Sequence, residues 1–209
     1  MRSETTASSG RVHALHLVEE ISHRVVNEYT EAISILSSGV RSGAQPGSIL
    51  TAAVERLRAH AEAHRALLVP DSDGSFELGA YVQHLCRALQ RASLDQRGIR
   101  LTVSSDKVWV EAERGWRVGL IVTELVRNAV RHGLAGRQGA VDVTLTAQAG
   151  AIRCVVADTG CARSAPKEGR GRRLMRVLAS ELDGSIEWCF SSDGSSAVLT
   201  LPPTGHLHT

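Results

Sequence analysis

The chain has 209 residues, of which 43% are hydrophobic and 22% are charged, a composition that excludes the disordered, collagen-like and disulfide-scaffold classes. Lysine and arginine total 24 against 22 acidic residues, so the formal charge of +2 gives no electrostatic argument for binding nucleic acid or an anionic membrane. The polar N-terminus lacks the apolar core of a signal peptide, and no run approaches the roughly 20 apolar residues of a membrane helix. We therefore expect a soluble, cytoplasmic protein.

The first third of the chain predicts a helical hairpin. Residues 11–38 carry apolar side chains near helical spacing, and a Gly- and Pro-containing stretch then separates them from a second amphipathic helix at about 48–68. A lone hairpin leaves one apolar face uncovered, so pairing with a second copy into a four-helix bundle is the economical solution. We expect a flexible N-terminus at 1–10, a helical hairpin at 11–69 and a homodimer.

The pattern changes after residue 69. Residues 69–75 are rich in Pro, Gly, Asp and Ser and predict a linker. Helical and alternating patterns then follow one another, which predicts an α+β domain at 76–203 and a polar tail at 204–209. We expect a mixed sheet with about three helices on one face. The predicted helices are 77–93, 114–132 and 172–182, and the predicted strands are 99–105, 107–112, 141–148, 152–158, 185–190 and 196–202.

A first candidate for chemistry lies in the first predicted helix, in the sequence HRVVN at 23–27. His23 and Asn27 are four residues apart and so project from one helix face. An imidazole with a pKa near neutrality has a lone pair that can take up a phosphoryl group. The Asn27 amide could orient a water or a group of a partner. Taken alone, a helix histidine is more often an ordinary surface or core residue.

A second candidate is a polar row on a helix otherwise rich in valine and leucine. Glu124, Asn128 and His132 fall at i, i+4 and i+8. Such a row is costly unless it faces a ligand or solvent. A carboxylate and an amide oxygen, with Arg131 close by in the sequence, suit a complex of Mg²⁺ with polyphosphate because Mg²⁺ prefers hard oxygen ligands. A solvated helix face is the alternative interpretation.

Two glycine-containing motifs follow. Asp158 ends an apolar strand and precedes Gly160 by two residues; its carboxylate could accept a hydrogen bond from a base, and the glycine would let a flat ring approach the backbone. Asp-x-Gly is also a common turn signal. Gly169 and Gly171 lie just ahead of a predicted helix, where exposed backbone N–H groups and neighbouring arginines favour phosphate.

In this order, the four motifs resemble the core of a two-component histidine kinase, over residues 11–202. HRVVN resembles the phosphoacceptor box of the HWE and related subfamily. ELVRNAVRHG resembles the N box, ADTG the G1 box, and EGRGRRL the start of the G2 box. The resemblance implies a dimerising phosphotransfer bundle followed by an ATP-binding α/β sandwich of the GHKL class.

The resemblance also implies site residues, cofactors and a partner. ATP and Mg²⁺ are the implied cofactors, and the receiver domain of a response regulator is the implied acceptor of the phosphoryl group. His23 is then the phosphoacceptor, Glu124 a base or polarising carboxylate, and Asp158 the residue that recognises adenine. The implied catalytic residues are His23, Arg24, Asn27 and Glu124. The implied ATP-binding residues are Asn128, which also holds Mg²⁺ through the phosphates, and Arg131, His132, Asp158, Gly160, Gly169 and Gly171.

Three departures from the family pattern keep other functions open. Ala162 replaces a frequent glycine, residues 161–168 are shorter than the usual ATP lid, and Arg172 stands where the G2 box usually has an apolar residue. An ATP-independent histidine phosphotransferase or a response-regulator phosphatase fits these departures. An ATP-binding scaffold is a third class, but it has no use for HRVVN. No segment before residue 11 is long enough for a sensor, so we expect either an excised core or control by a separate sensor protein.

Overall fold

The computed structural model describes two compact units of the chain, which divide after Glu62. The predicted flexible N-terminus at 1–10 and the predicted tail at 204–209 lie outside the described residues. Within the described part, none of the helices is both long and apolar enough to cross a bilayer. The described residues are 25–41, 45–68, 74–148, 150–161 and 169–203.

The first unit contains helix α1, at 25–41, and most of helix α2, which spans Pro46–Ala66 and so extends past the division after Glu62. The beginning of the predicted first helix, residues 11–24, lies outside the described residues. The sequence predicts that the first helix ends at residue 38, but α1 continues through Gly39 to residue 41. A side chain at Gly39 would overlap with Ile49 of α2, so the glycine allows the two helices to approach closely. Helix α2 begins at Pro46, because the fixed φ of proline suits the first helical position.

Buried polar groups also join α1 and α2. Arg56 and His60 of α2 are only 5% and 7% exposed. The Arg56 Nη2 atom lies 2.8 Å from Oε1 of Glu31, and the His60 Nε2 atom lies 3.1 Å from the other oxygen of that carboxylate. Glu28 lies 3.8 Å from the second nitrogen of the His60 ring. A buried cation requires such a partner, so Glu31 fixes how the two helices are aligned.

The second unit alternates helices and strands. Single π-helical turns, Gln90–Leu94 and Ala129–Gly133, follow α3 and α4. The elements are β1 (Ser75–Glu77), α3 (Leu78–Leu89), β2 (Ile99–Ser105), β3 (Trp109–Glu111), α4 (Ala112–Asn128), β4 (Gly139–Gln148), β5 (Ala151–Asp158), α5 (Arg170–Glu181), β6 (Ser185–Ser191) and β7 (Gly194–Leu201).

Five of the strands form a mixed sheet in the order β2-β4-β5-β7-β6. Strands β2 and β4 are parallel, and the other pairs are antiparallel. A parallel pair needs a crossover, which α4 supplies between β2 and β4. Helices α3, α4 and α5 pack on the face to which the buried side chains of β4, Val141, Val143 and Leu145, belong. The predicted α+β fold, with helices on one face of a mixed sheet, is confirmed.

The N-terminal end of this unit differs from the prediction. Residues 69–75 were expected to form only a linker and a helix was expected from residue 77, but Ser75–Glu77 forms strand β1. It pairs antiparallel with β3 in a separate two-stranded sheet. Strand β3 is correspondingly shorter than the predicted strand at 107–112. A three-residue strand is too short to show an alternating pattern, so its partner strand was needed to find it.

A side chain forms hydrogen bonds with the backbone of β2, the strand at the outer edge of the sheet. The Gln90 amide oxygen accepts a hydrogen bond of 2.8 Å from the backbone N–H of Leu101. Its amide nitrogen donates one of 2.9 Å to the carbonyl of Ile99. One side chain therefore pairs with both kinds of backbone group on the outermost strand.

Glu77 links β1 to α3 by capping the helix. Its two carboxylate oxygens accept hydrogen bonds of 2.7 Å from the backbone N–H groups of Gly79 and Ala80. These are two of the N-terminal donors that have no partner within the helix. Glu111 occupies the same position before α4 but makes no side-chain capping bond, so the two glutamates form a matched pair.

We expect Glu77→Ala to lower the free energy of unfolding by about 1 kcal/mol, because it leaves the first turn of α3 uncapped. Urea-induced unfolding of the full chain, followed by circular dichroism, measures the change. Glu111→Ala is the control and should shift the midpoint much less. Equal effects of the two substitutions would contradict the capping role of Glu77.

Candidate functional site

A cavity of about 240 Å³ opens in the second unit between α4 and the strands β5, β6 and β7. Three predicted site residues, Asn128, His132 and Asp158, line it. The N-terminal turn of α5 closes one side through Arg172. The sequence motifs of α4, β5 and α5 therefore meet around one cavity, although they are spread over about fifty residues of the chain.

Asp158 is the buried carboxylate of this cavity, with 8% of its surface exposed. Its Oδ1 atom accepts a hydrogen bond of 2.8 Å from the backbone N–H of Gly160, and its Oδ2 atom accepts one of 2.6 Å from the Ser195 hydroxyl. These two donors fix the orientation of the carboxylate. Each oxygen keeps a further lone pair, so the group can still accept a hydrogen bond from an amine in the cavity.

Two glycines leave the space that Asp158 needs. A side chain at Gly133 would overlap with the Asp158 carboxylate, and a side chain at Gly160 would overlap with the Gly133 carbonyl. The π-helical turn after α4 and the end of β5 can therefore come into direct contact. Hydrogen bonds between Thr159 and Ala140 hold the backbone at this point, at 3.1 and 3.0 Å.

Asn128 brings an unsatisfied donor to the cavity. Its Nδ2 atom is buried and has no hydrogen-bond partner in the described part of the chain. Such a group is expensive to leave unpaired, and its position on the cavity wall makes a polar ligand the natural partner. Glu124, one turn earlier on α4, is 5% exposed. It lies beside Gly171, where an added Cβ would be 3.3 Å from Oε2 of Glu124.

The predicted polar row along α4 is only partly continuous. Glu124 is buried, Asn128 is half-buried, and His132 lines the cavity while remaining open to solvent. The regular helix ends at Asn128, and the π-helical turn that follows alters the spacing to His132. Partial burial, and then the charges of Arg131 and Arg172, lower the pKa of His132 from its ordinary value of 6.5.

Of the other predicted residues, those that the structure describes do not line the cavity. Arg131 is exposed and does not line the cavity. Gly169 is the exposed N-cap of α5. Asn27 is exposed on α1, in the other unit. His23 and Arg24 lie outside the described residues, as does most of the predicted lid at 161–168.

Several cavity residues were not predicted from the sequence. Ser195 holds Asp158 from a strand that lies 37 residues later in the chain. Trp188 and Phe190 of β6 and Cys161 also line the cavity, as does Gly133 at the end of the N-box-like segment. The alternation of SIEWCF places Trp188 and Phe190 on the same face of β6, but only the order of the strands places that face beside Asp158.

The described residues fit an adenine nucleotide better than a metal held by the protein alone. The fixed Asp158 carboxylate suits the amine of a base, and the unpaired Asn128 amide suits a polar group further along the ligand. No cluster of three or more His, Cys, Asp or Glu that could bind a metal occurs among the described residues. A Mg²⁺ ion here would need the phosphates of the nucleotide and water as its other ligands, as Mg²⁺ usually does.

Comparison with protein families agrees with this arrangement. Residues 80–187, slightly more than half of the chain, match the family described as "Histidine kinase-like ATPase domain". Residues 20–93 match the family described as "Histidine kinase". The two matches overlap in α3 and its π-helical turn. The first match contains Glu124, Asn128, Asp158 and the cavity wall up to α5.

Individual histidine kinases resemble this chain in sequence, and solved structures resemble it in fold. The chain is 26% identical over 192 residues to blue-light-activated histidine kinase 1 of Erythrobacter litoralis. The aligned region covers 89% of this chain and 52% of that protein. The solved histidine kinase domain of an Erythrobacter litoralis blue-light-activated histidine kinase has a similar fold. Its TM-score is 0.58 at 22% identity, over 83% of this chain and 95% of that one.

A solved bacterial phosphotransferase also shares the fold. Its TM-score is 0.62 at 12% identity, over 90% of this chain and 95% of that one. At such identities the likeness concerns the fold alone. The chain spans about half the length of the curated blue-light relatives that it matches.

We expect His132 to titrate with a midpoint below 6.5 in the folded protein, as measured by NMR of its ring protons. Arg131→Gln should raise this midpoint because it removes one of the two charges that disfavour the imidazolium. Arg173→Gln, an exposed change that does not border the cavity, is the control. An unshifted wild-type midpoint, or no effect of Arg131→Gln, would contradict the described environment.

The lowered pKa of His132 also determines whether the stability of the fold rises or falls with pH. As the pH falls below 6.5, the unfolded chain binds a proton at His132 before the folded chain does. The stability that the neutral imidazole contributes is therefore lost as the pH falls through this window.

Proposed function

Because the chain belongs to the histidine kinase family and carries its histidine kinase-like ATPase domain, we propose that it is a protein-histidine kinase. It autophosphorylates on His23 with Mg-ATP and passes the phosphoryl group to an aspartate of a response regulator. The observation that carries the proposal is the buried Asp158 carboxylate, oriented by two donors in a cavity that also contains an unpaired Asn128 amide. We assign the reaction to the cytoplasm, which supplies ATP.

We assign the two ends of the cavity to the two ends of the nucleotide. Asp158 accepts a hydrogen bond from the adenine amine, and Gly133 and Gly160 leave room for that carboxylate and for the turn beside it. Asn128 faces the phosphates and is the residue that would hold Mg²⁺ there, close to Glu124. The ion, when bound, neutralises charge on the phosphates. Gly169 and Gly171 leave backbone N–H groups available at the N-terminus of α5 for the triphosphate.

The transfer step needs one nucleophile and one leaving group. A lone pair on the His23 imidazole attacks the γ-phosphorus, the bond from that phosphorus to the β–γ bridging oxygen breaks, and ADP leaves. The proton on the other ring nitrogen passes to a base or to solvent, and Glu124 is the candidate carboxylate that accepts or polarises it. An aspartate oxygen of the receiver domain then attacks the phosphorus and releases His23. The protein contributes mainly by positioning and charge neutralisation.

The residues that follow His23 support transfer to and from the partner. Arg24 and Asn27 are assigned to orienting the acceptor carboxylate or a water in the second step. Asn27 is exposed on α1, as a residue that meets a partner protein must be. We propose that residues 11–69 form the phosphotransfer unit and residues 76–203 the ATP-binding unit. The input signal comes from a sensor outside these units, in the same polypeptide or in a separate protein.

We propose that the first unit dimerises through an exposed apolar face. On α1, the exposed apolar residues recur at alternating intervals of three and four, as they do in helices that pack along a seam. Exposed apolar residues of α2 continue the pattern over two intervals. Large apolar side chains that are open to water over this length favour burial against a second copy. The residues are Val26, Tyr29, Ile33, Leu36 and Val40 on α1 and Leu50, Val54 and Leu57 on α2.

A charge on this face should disrupt the dimer. Ile33 is 60% exposed, so Ile33→Glu should leave the hairpin folded while placing a carboxylate in the dimer interface. We expect the mass measured by light scattering at micromolar concentration to fall from that of a dimer to that of a monomer. Ser34→Glu adds the same charge at the neighbouring exposed position and should remain dimeric. A monomeric wild-type chain would contradict the proposed bundle.

The kinase assignment predicts a specific phosphoprotein. Incubation of the wild-type chain with Mg²⁺ and γ-labelled ATP should give label that acid removes and base does not, as expected of phosphohistidine. His23→Ala should abolish this label and still bind ATP, because the described residues that line the nucleotide cavity all belong to the second unit. Asn128→Ala should reduce both nucleotide binding and labelling.

The same assay separates the kinase from its alternatives. Absence of label on the wild-type chain, together with uptake of phosphate from a phosphorylated response regulator, would indicate an ATP-independent phosphotransferase. Release of that phosphate to water would indicate a phosphatase. Tight ATP binding with neither label nor transfer would indicate an ATP-binding scaffold. Each of these results would overturn the kinase assignment.

A further inference from the structure

Arg172 lies where the family pattern has an apolar side chain. It belongs to the first turn of α5 and lines the cavity. Its guanidinium carbon lies 5.2 Å from the centre of the Phe190 ring and 5.8 Å from the centre of the Trp188 ring. Both rings line the cavity as well. The guanidinium group therefore lies over two aromatic side chains of the cavity wall.

The register of the sheet shows which end of the cavity this is. Phe190 on β6 is directly opposite Ser195 on β7, and the Ser195 hydroxyl donates to the Asp158 carboxylate. The guanidinium over Phe190 is therefore near the Asp158 end of the cavity.

A guanidinium group in this position can pack against a flat ligand as an apolar side chain would. Its face is flat and weakly hydrated, and it stacks on aromatic rings, whereas its N–H donors point outward in the plane. A purine base requires flat surfaces against its faces and polar groups at its edge. The two rings hold the Arg172 guanidinium in place, and a second guanidinium, that of Arg176, lies 5.1 Å from the centre of the Trp188 ring.

We propose that Arg172 contacts the base of the nucleotide as part of the cavity wall, with Phe190 and Trp188 as its support. This inference rests on the proposed function, since it assumes that the cavity binds an adenine nucleotide. Arg172 then contacts the base and not the phosphates. A positively charged side chain near a helix N-terminus would ordinarily be expected to bind phosphate.

Binding of AMP, ADP and ATP to Arg172→Lys tests this assignment. Lysine keeps the positive charge but lacks the planar group, so the substitution isolates the stacking contact. We expect the Kd measured by calorimetry to rise by the same factor for all three nucleotides, about fivefold to thirtyfold. Arg173→Lys, at the adjacent exposed position, should leave all three Kd values unchanged. Phe190→Leu, which removes the support but keeps Arg172, should also give a uniform loss.

Two results would overturn the inference while leaving the kinase assignment intact. An Arg172→Lys protein that binds all three nucleotides as the wild type does would show that the planar group makes no contact. A loss that grows from AMP to ADP to ATP would show that Arg172 contacts phosphate. A wild-type chain that binds none of the three nucleotides would instead refute the proposed function, and the base contact with it. Unchanged thermal unfolding of the variants would exclude misfolding as the cause of a loss.

Discussion

The cavity depends on the burial of one carboxylate, that of Asp158. A buried carboxylate is tolerated only where donors satisfy it, and here the donors come from a backbone turn and from a serine on another strand. This requirement fixes how close β5 and β7 must be to the end of α4. It also explains why glycine occurs at 133 and 160, because either side chain would occupy the space that the carboxylate and the turn require. The geometry of the cavity wall follows from these contacts.

Polar groups organise the first unit in a comparable way. Glu31 on α1 contacts both Arg56 and His60 on α2, so a single acidic side chain pairs with two buried basic side chains. The apolar residues of the same helices are largely exposed on another face. The hairpin thus uses charge pairs between its own helices and leaves a large part of its apolar surface exposed. This division is consistent with a unit whose full core forms only on association.

The sequence predicts those elements whose hydrophobic pattern is local and extends over many residues. The five strands of the main sheet, the three helices of the second unit and the motif residues Asn128 and Asp158 follow from periodicity and from short motifs, and the structure brings the two motif residues to one cavity. Strand β1 was missed because three residues carry no period. The spacing that predicted a continuous row from Glu124 to His132 assumed a regular helix, whereas a π-helical turn follows Asn128. Ser195 and Phe190 could not be assigned, because their positions beside Asp158 depend on the pairing of β5, β6 and β7.

The Gln90 side chain has a consequence for how this protein behaves at high concentration. An outermost strand ordinarily offers unpaired backbone groups to any other extended chain, and such edges are where soluble proteins begin to aggregate. At the start of β2 the amide of Gln90 already occupies both the N–H of Leu101 and the carbonyl of Ile99. A foreign strand would have to displace two hydrogen bonds before it gained any. The Gln90 side chain thus takes the place of a neighbouring strand at the start of β2 and protects this edge from pairing with other chains.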